Sequence, residues 1–273
     1  MQVRISAREL TFEVDVTGPE GAPVVLLLHG FPQSRHSWRL VTPYLSGFRI
    51  VAPDQRGYSP DARPTDVQAY RIPQLTADVI AILDALGVPA AHVVGHDWGA
   101  AVAWQLGARH AARVLTLTAV SVPHPRAFLA ALAADPEQRT KSLYMRDFAQ
   151  PGYDATLLAD DAAGLRALFG GLPEVDVQHV VGAAREPGAL AAWLRWYAAQ
   201  RREDIADTPA VTVPTLHVWS DQDLALGRAA AQGTGDWVTG AYHFEVFRGV
   251  SHWVPEQAAD RLGPLLVEHL GSP

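Results

Sequence analysis

Asp97 stands in the segment Gly95-His96-Asp97-Trp98-Gly99, between a short apolar run and a stretch with helical spacing. Glycines two residues before and two residues after a central residue are typical of a sharp turn from a strand into a helix. Such a turn leaves the central side chain at the helix N-terminus, where an anion is favoured. A carboxylate there is already ionised near neutral pH, so Asp97 is a candidate nucleophile.

An aspartate nucleophile limits the electrophiles that it can attack usefully. Attack on a strained or activated sp³ carbon gives an ordinary alkyl ester, whereas attack on an acyl group would produce an anhydride. The alkyl ester can then be cleaved by water in a second step. The residue type therefore indicates an epoxide or a carbon–halogen bond as the substrate group.

Two later segments supply candidate partners for Asp97. Asp221 and Asp223 follow one apolar run, and His252 follows another, so the chain order is nucleophile, acid, histidine. We expect His252 to activate the water of the second step and one of the two aspartates to orient it. Because the aspartates are two residues apart, strand alternation does not separate them, and either one can instead cap the next helix.

The elements that must position these residues alternate along the chain. Short apolar or alternating runs predict strands, and apolar residues three or four apart predict helices. The predicted strands are 9–16, 24–28, 49–52, 91–94, 114–120, 213–219 and 244–247, and the predicted helices are 74–86, 100–109 and 257–270. This alternation predicts an α/β fold with a mostly parallel sheet and helices on both faces.

Strand patterns disappear between residues 126 and 202, where alanine, leucine and arginine recur at helical spacing. A helical segment that interrupts an α/β sheet is best interpreted as an insertion, because neither flank completes a core alone. We therefore expect a core of residues 1–125 and 206–273 and a helical cap of residues 126–205.

Composition excludes several classes of function. Hydrophobic residues are 48% and charged residues 19%, which permits a substantial core and excludes wholesale disorder. The net charge of −7 without a basic run argues against a nucleic-acid surface, and the absence of cysteine removes disulfides and thiolate metal sites. No signal-peptide pattern, membrane-length apolar run, metal-binding motif or nucleotide-binding motif occurs. We expect a cytoplasmic protein without a metal, a cofactor or a nucleic-acid partner, and the sequence gives no oligomeric state.

These motifs together resemble the α/β-hydrolase superfamily over essentially the whole chain. The segments that carry the resemblance are His29-Gly30-Phe31-Pro32, Gly95–Gly99, Val218–Asp223 and Val250–Glu256. The aspartate nucleophile, the first of these segments and residues 121–126 (Ser-Val-Pro-His-Pro-Arg) look most like the epoxide hydrolases. That family carries two cap tyrosines, which Tyr144 before Phe148-Ala149-Gln150-Pro151-Gly152 and Tyr197 after Trp196 match.

The resemblance implies roles for individual residues. The family pattern Trp-Gly-x-x-Asp favours Asp223 as the orienting acid, although Ser220 replaces the glycine. Tyr144 and Tyr197 would protonate the opening ring, and the backbone N–H groups of Phe31 and Trp98 would stabilise the oxyanion. Candidates for the substrate pocket are Pro32, His96, Trp196 and Trp253.

The predicted reaction is the conversion of a small hydrophobic epoxide to a vicinal diol. In it, Asp97 forms an alkyl ester that His252-activated water hydrolyses. A haloalkane or haloacid dehalogenase with the same nucleophile is the first alternative. It differs in its leaving group, because a halide departs without needing an acid. A non-catalytic hydrolase-fold protein that binds a small ligand is the second.

Overall fold

One eight-stranded sheet organises the chain, whose computed structural model describes residues 1–271. The strand order is β1-β2-β4-β3-β5-β6-β7-β8. Strands β3 to β8 run parallel to one another, whereas β1 is antiparallel to β2, and β2 is antiparallel to β4. The strands are β1 (Gln2–Ala7), β2 (Leu10–Thr17), β3 (Val24–Leu28), β4 (Arg49–Pro53), β5 (Ala91–His96), β6 (Val114–Val120), β7 (Thr215–Gln222) and β8 (Tyr242–Ser251).

The helices of the sheet's two faces come from both ends of the chain. They are α1 (Ile72–Ala85), α2 (Trp98–Arg109) and, after the segment described next, α10 (Arg228–Gln232), α11 (Val254–Gln257) and α12 (Ala259–Leu270).

Seven α-helices lie between β6 and β7, and no strand does. They are α3 (Pro125–Ala134), α4 (Pro136–Lys141), α5 (Tyr144–Phe148), α6 (Tyr153–Arg166), α7 (Glu174–Ala184), α8 (Ala189–Ala198) and α9 (Arg202–Ile205). Helix α6 is kinked at residues 159–162, where the backbone is not helical. The division of the chain into a core and a cap at residues 126 and 205 stays a prediction.

The central strand β3 shows why the sheet is buried on both faces. Leu26 and Leu28 pack into the core beneath α1 and α2, whereas Val25 and Leu27 pack into the core beneath α12. Successive side chains of a strand point to opposite faces, so a strand covered on both sides needs a continuous apolar run. The predicted mostly parallel sheet is confirmed.

The first strand was not predicted from the sequence. In β1, Ile5 and Ala7 point into the core while Arg4 and Ser6 face solvent, which is the alternation of a half-buried strand. Its turn into β2 places Arg8 and Glu9 at positive φ. The helix predicted at 100–109 begins at Trp98, so its N-terminus directly follows Asp97.

Candidate active site

Asp97 occupies a strained turn between β5 and α2. Its φ of 50° and ψ of −122° are unusual for a residue with a side chain, and such strain is concentrated at functional sites. A Cβ atom at Gly95 would overlap the carbonyl group of Gly99, and one at Gly99 would overlap that of Leu28. Both glycines are therefore required by close backbone packing around the nucleophile.

The Asp97 carboxylate is buried and hydrogen-bonded on one side by the main chain. The N–H of Phe31 donates to its Oδ1 at 2.8 Å. Burial alone would raise the pKa of Asp97, but the charge and hydrogen bond of His252, with a smaller contribution from the Trp98 N–H, lower it below its usual range. Asp97 is thus an anion. The backbone N–H groups of Phe31 and Trp98, the predicted oxyanion donors, both stabilise its negative charge.

His252 lies between the nucleophile and a second carboxylate. Its Nε2 is 3.5 Å from Asp97 Oδ2, and its Nδ1 is 2.9 Å from Asp223 Oδ2. Burial would lower the pKa of His252, but the charges and hydrogen bonds of the two carboxylates outweigh it and raise this pKa above its ordinary value. Loss of the Asp97 charge would therefore make His252 less basic and readier to lose its proton.

The structure separates the two candidate acids. Asp223 is 1% exposed, and its Oδ1 accepts the N–H groups of Ala225 at 2.8 Å and Leu226 at 3.0 Å. Asp221 instead points away from the histidine, and its Oδ1 accepts the N–H of Gly249 at 2.8 Å. Asp223 is the residue that holds His252.

Tyr144 on α5 and Tyr197 on α8 line the same cavity as Asp97 and His252. Their ring centroids are 6.0 Å apart, and Tyr197 also packs edge-on against Phe31 and Trp98. Burial, aided by the charge of Asp97, raises the pKa of both phenols well above 10. Both hydroxyl groups are therefore neutral and keep a proton to donate.

The cavity has a volume of about 190 Å³. Pro32 and Trp253 line it as predicted, but His96 and Trp196 do not. His96 lies behind the site, fully buried, with its Nε2 2.9 Å from the His252 carbonyl oxygen. The Trp196 indole is turned into the core, where its N–H donates to the Arg56 carbonyl oxygen at 2.8 Å. The pocket assignment of His96 and Trp196 was wrong, because flanking a functional residue in sequence does not set the direction of a side chain.

Helix α4 contacts the loop that carries Asp223, a contact that the sequence analysis missed. Gln138 accepts the Gly227 N–H at 2.8 Å and donates to the Ala225 carbonyl oxygen at 2.9 Å. The Lys141 amino group donates to the carbonyl oxygen of Asp223. These bonds tie the first helices after β6 to the acid of the site.

The sequence analysis also gave no role to Glu256, although this residue ends the segment Val250–Glu256 that contains His252. Its carboxyl group accepts a hydrogen bond from the Gln33 amide, while its Oε2 is buried without a partner. Burial raises the pKa of Glu256 to about 8, against the opposing charge of Arg39. The folded protein therefore keeps this acid protonated at neutral pH.

Glu256→Gln should remove a pH dependence of stability. The unfolded chain ionises Glu256 above its ordinary pKa of 4.5, whereas the folded protein resists ionisation up to about pH 8. The free energy of unfolding of the wild type should therefore fall between these pH values, by about 4 kcal/mol. Urea unfolding at pH 5, 7 and 9 should show that the free energy of unfolding of the variant increases relative to that of the wild type as the pH rises. A constant difference at all three pH values would contradict the raised pKa.

Neither a metal-binding cluster nor a membrane-spanning helix occurs within residues 1–271. Residues 1–271 contain no group of three or more histidine, aspartate or glutamate side chains arranged to hold a metal ion. No helix within the same range is long and apolar enough to cross a membrane.

Comparison with protein families gives a match along most of the chain. Residues 23–259 match the family described as the alpha/beta hydrolase fold. This range includes β3 to β8, the Asp97 turn and the loop that carries His252. The predicted α/β-hydrolase fold is confirmed.

Curated relatives and solved structures are similar over nearly full length. The chain is 33% identical to the AB hydrolase superfamily protein YfhM of Bacillus subtilis, covering 97% of this chain and 96% of that protein. It is 33% identical to epoxide hydrolase A of Mycobacterium tuberculosis, covering 93% and 92%. The crystal structure of epoxide hydrolase A from Mycobacterium thermoresistibile superimposes with a TM-score of 0.87 at 28% identity, covering 99% and 98%.

Proposed function

The chain belongs to the α/β-hydrolase family and is a hydrolase of the epoxide hydrolase type, and we propose that it opens epoxides to vicinal diols through an ester of Asp97. The observation that carries this proposal is one cavity lined by an ionised carboxylate, a histidine held by Asp223 and two neutral phenols. We further propose that the helices of residues 126–205 form a cap, since they supply Tyr144 and Tyr197.

In the first step, an oxygen of Asp97 attacks one ring carbon and the carbon–oxygen bond of the epoxide breaks. The ring oxygen leaves as a strongly basic alkoxide and takes a proton from Tyr144 or Tyr197. A raised phenol pKa suits this role, because the hydroxyl stays protonated until the alkoxide forms. The products of this step are a hydroxyalkyl ester of Asp97 and a tyrosinate.

Once the Asp97 charge is lost, His252 gives up its proton to solvent; in the second step the neutral imidazole takes a proton from water, and the hydroxide attacks the Asp97 ester carbonyl. The developing oxyanion is stabilised by the N–H groups of Phe31 and Trp98, an interaction worth on the order of 3 kcal/mol per donor. The Phe31 N–H already meets Asp97 Oδ1 at 2.8 Å, so this donor needs no rearrangement. Collapse releases the diol oxygen, which takes the proton from His252, and the new carboxylic acid of Asp97 returns a proton to the tyrosinate.

An isotope experiment tests the proposed ester. In a single turnover in ¹⁸O-labelled water, label should enter the Asp97 carboxyl group, because water attacks the ester carbonyl and not the substrate carbon. Mass spectrometry of the peptide that contains Asp97 measures the label. Enzyme incubated in the same water without substrate is the control. Label found only in the diol would show direct attack by water and reject the covalent mechanism.

A further inference from the structure

The loop of residues 223–227, here called the acid loop, directly follows β7 and is shaped by the same carboxylate that holds His252. Asp223 Oδ1 accepts the N–H groups of Ala225 at 2.8 Å and Leu226 at 3.0 Å, while its Oδ2 lies 2.9 Å from His252 Nδ1. A change in the conformation of the acid loop therefore moves the oxygen atom that orients the histidine.

Gln138 on α4 binds the main chain of the acid loop at two further points. Its amide oxygen accepts the Gly227 N–H at 2.8 Å, and its amide nitrogen donates to the Ala225 carbonyl oxygen at 2.9 Å. The same nitrogen also donates to Ser142 Oγ at 2.9 Å. Gln138 is fully buried, and a buried backbone group that loses its partner is costly. The side chain therefore favours a single conformation of the acid loop.

Lys141 lies three residues after Gln138 on the same helix and binds the first residue of the acid loop. Its ammonium group donates to the carbonyl oxygen of Asp223, and the Glu137 carboxylate lies 3.7 Å from the same group. Lys141 is the only lysine of the chain. Hydrogen bonds from a charged donor are stronger than neutral ones. Helix α4 thus holds the acid loop at residues 223, 225 and 227.

We propose that Gln138 and Lys141 are positioning residues that keep Asp223 on His252 while the ester is hydrolysed. Neither side chain lines the cavity of Asp97. This inference rests on the proposed function, since the step that it serves is the activation of water by His252. Helix α4 leads directly into α5, which carries Tyr144. One segment of the chain therefore supplies a proton donor for the first step and fixes the acid of the second step.

Lys141→Met tests the proposal on the two separate steps. The variant keeps a side chain of similar length without the charged donor. It should slow ester hydrolysis about tenfold, less than the roughly 10²-fold that a 1 Å displacement of a catalytic group can cost. Ester formation should stay within about twofold, because Asp97 is ionised and attacks without a base. Rapid-quench measurements follow both steps.

Two matched variants accompany Lys141→Met. Lys141→Arg keeps a charged donor and should recover part of the hydrolysis rate. Glu137→Gln removes the carboxylate beside the ammonium group but leaves the bond from Lys141 to the Asp223 carbonyl oxygen, so both steps should run at the wild-type rate.

The pKa of His252 in the free enzyme gives a second measurement that needs no substrate. The titratable groups that face His252 are Asp97, Asp223, Glu256 and the ring of His96. Burial lowers the pKa of His252, whereas the charge and the hydrogen bond of Asp223 raise it most strongly. If the acid loop loosens, the contribution of Asp223 weakens and this pKa falls.

NMR titration of the imidazole should therefore show a lower pKa of His252 in both Lys141→Met and Gln138→Met. The signal of His252 is assigned by its absence in His252→Gln. Loss of the Lys141 charge by itself would have the opposite sign, because removing a nearby cation favours the imidazolium form. The substitution at position 138 changes no charge, so a lower pKa in that variant reports position alone.

The outcomes separate this inference from the proposed function. Unchanged hydrolysis in Lys141→Met, or equal slowing of both steps, overturns the inference. A raised pKa of His252 in this variant overturns it as well, whether or not Gln138→Met folds. An equal loss in Glu137→Gln would assign the effect to the stability of α4 and also reject it. If the wild type opens no epoxide, the proposed function fails, and a lowered pKa of His252 would still support α4 as the element that positions Asp223.

Discussion

His252→Gln should stop the enzyme at the ester. Asp97 is ionised and needs no base to attack, so ring opening should continue in the variant. Hydrolysis of the ester should slow about 10³-fold, because glutamine cannot accept a proton from water. Intact-protein mass spectrometry after mixing with substrate should show the protein heavier by one substrate mass. Steady-state turnover should fall by the same factor.

A matched control distinguishes this effect from general damage. His243 is exposed and does not line the cavity, and its replacement by glutamine should leave both steps unchanged. Glutamine at position 252 keeps much of the side-chain volume, so thermal unfolding should show a folded protein. A folded His252→Gln variant that binds substrate but never accumulates the adduct would remove His252 from the second step.

Tyr144→Phe/Tyr197→Phe should nearly abolish ring opening. Each single variant keeps one donor and should slow ester formation about 10²-fold, within the range for general acid catalysis. The double variant leaves the alkoxide without a proton source, so we expect a loss of about 10⁴-fold. Rapid-quench measurement of ester formation separates this step from hydrolysis.

A second substrate type makes the same variants decide between two reactions. A halide leaves as a stable anion and needs no proton, so any activity on an alkyl bromide should be affected far less. Tyr153→Phe is the control variant, since Tyr153 packs against Phe148 but does not line the cavity. Equal losses on both substrates, or none on the epoxide, would contradict the role of the tyrosines and favour the dehalogenase alternative.

Packing around the loop that carries Asp223 decided which of the two aspartates belongs to the site. The sequence places Asp221 and Asp223 two residues apart, and both have the chemistry to orient a histidine. Only the folded loop shows that Asp223 is turned inward onto His252 while Asp221 binds the Gly249 N–H. The family pattern favoured Asp223, but the spacing of the two aspartates alone does not show which of them orients His252.

The nucleophile turn and most of the strands were determined by the sequence itself. Gly95 and Gly99 are needed because of contacts close along the chain and in the adjacent strand, and such constraints leave a pattern that can be recognised. Apolar runs predicted most strands for the same reason, since burial on one or both faces dictates residue type position by position. The pattern of β1 was equally regular but was overlooked.

The tertiary structure alone decided which side chains meet across distant segments. His96 and Trp196 flank functional residues in sequence but point away from the cavity, where His96 contacts the His252 carbonyl oxygen and Trp196 donates to that of Arg56. The buried carboxyl of Glu256 likewise depends on Gln33, more than 200 residues away. Side-chain direction and burial depend on packing between elements that come from both ends of the chain. A single sequence therefore specifies the nucleophile and its frame, but the shape and charge of the surrounding cavities become visible only in the folded protein.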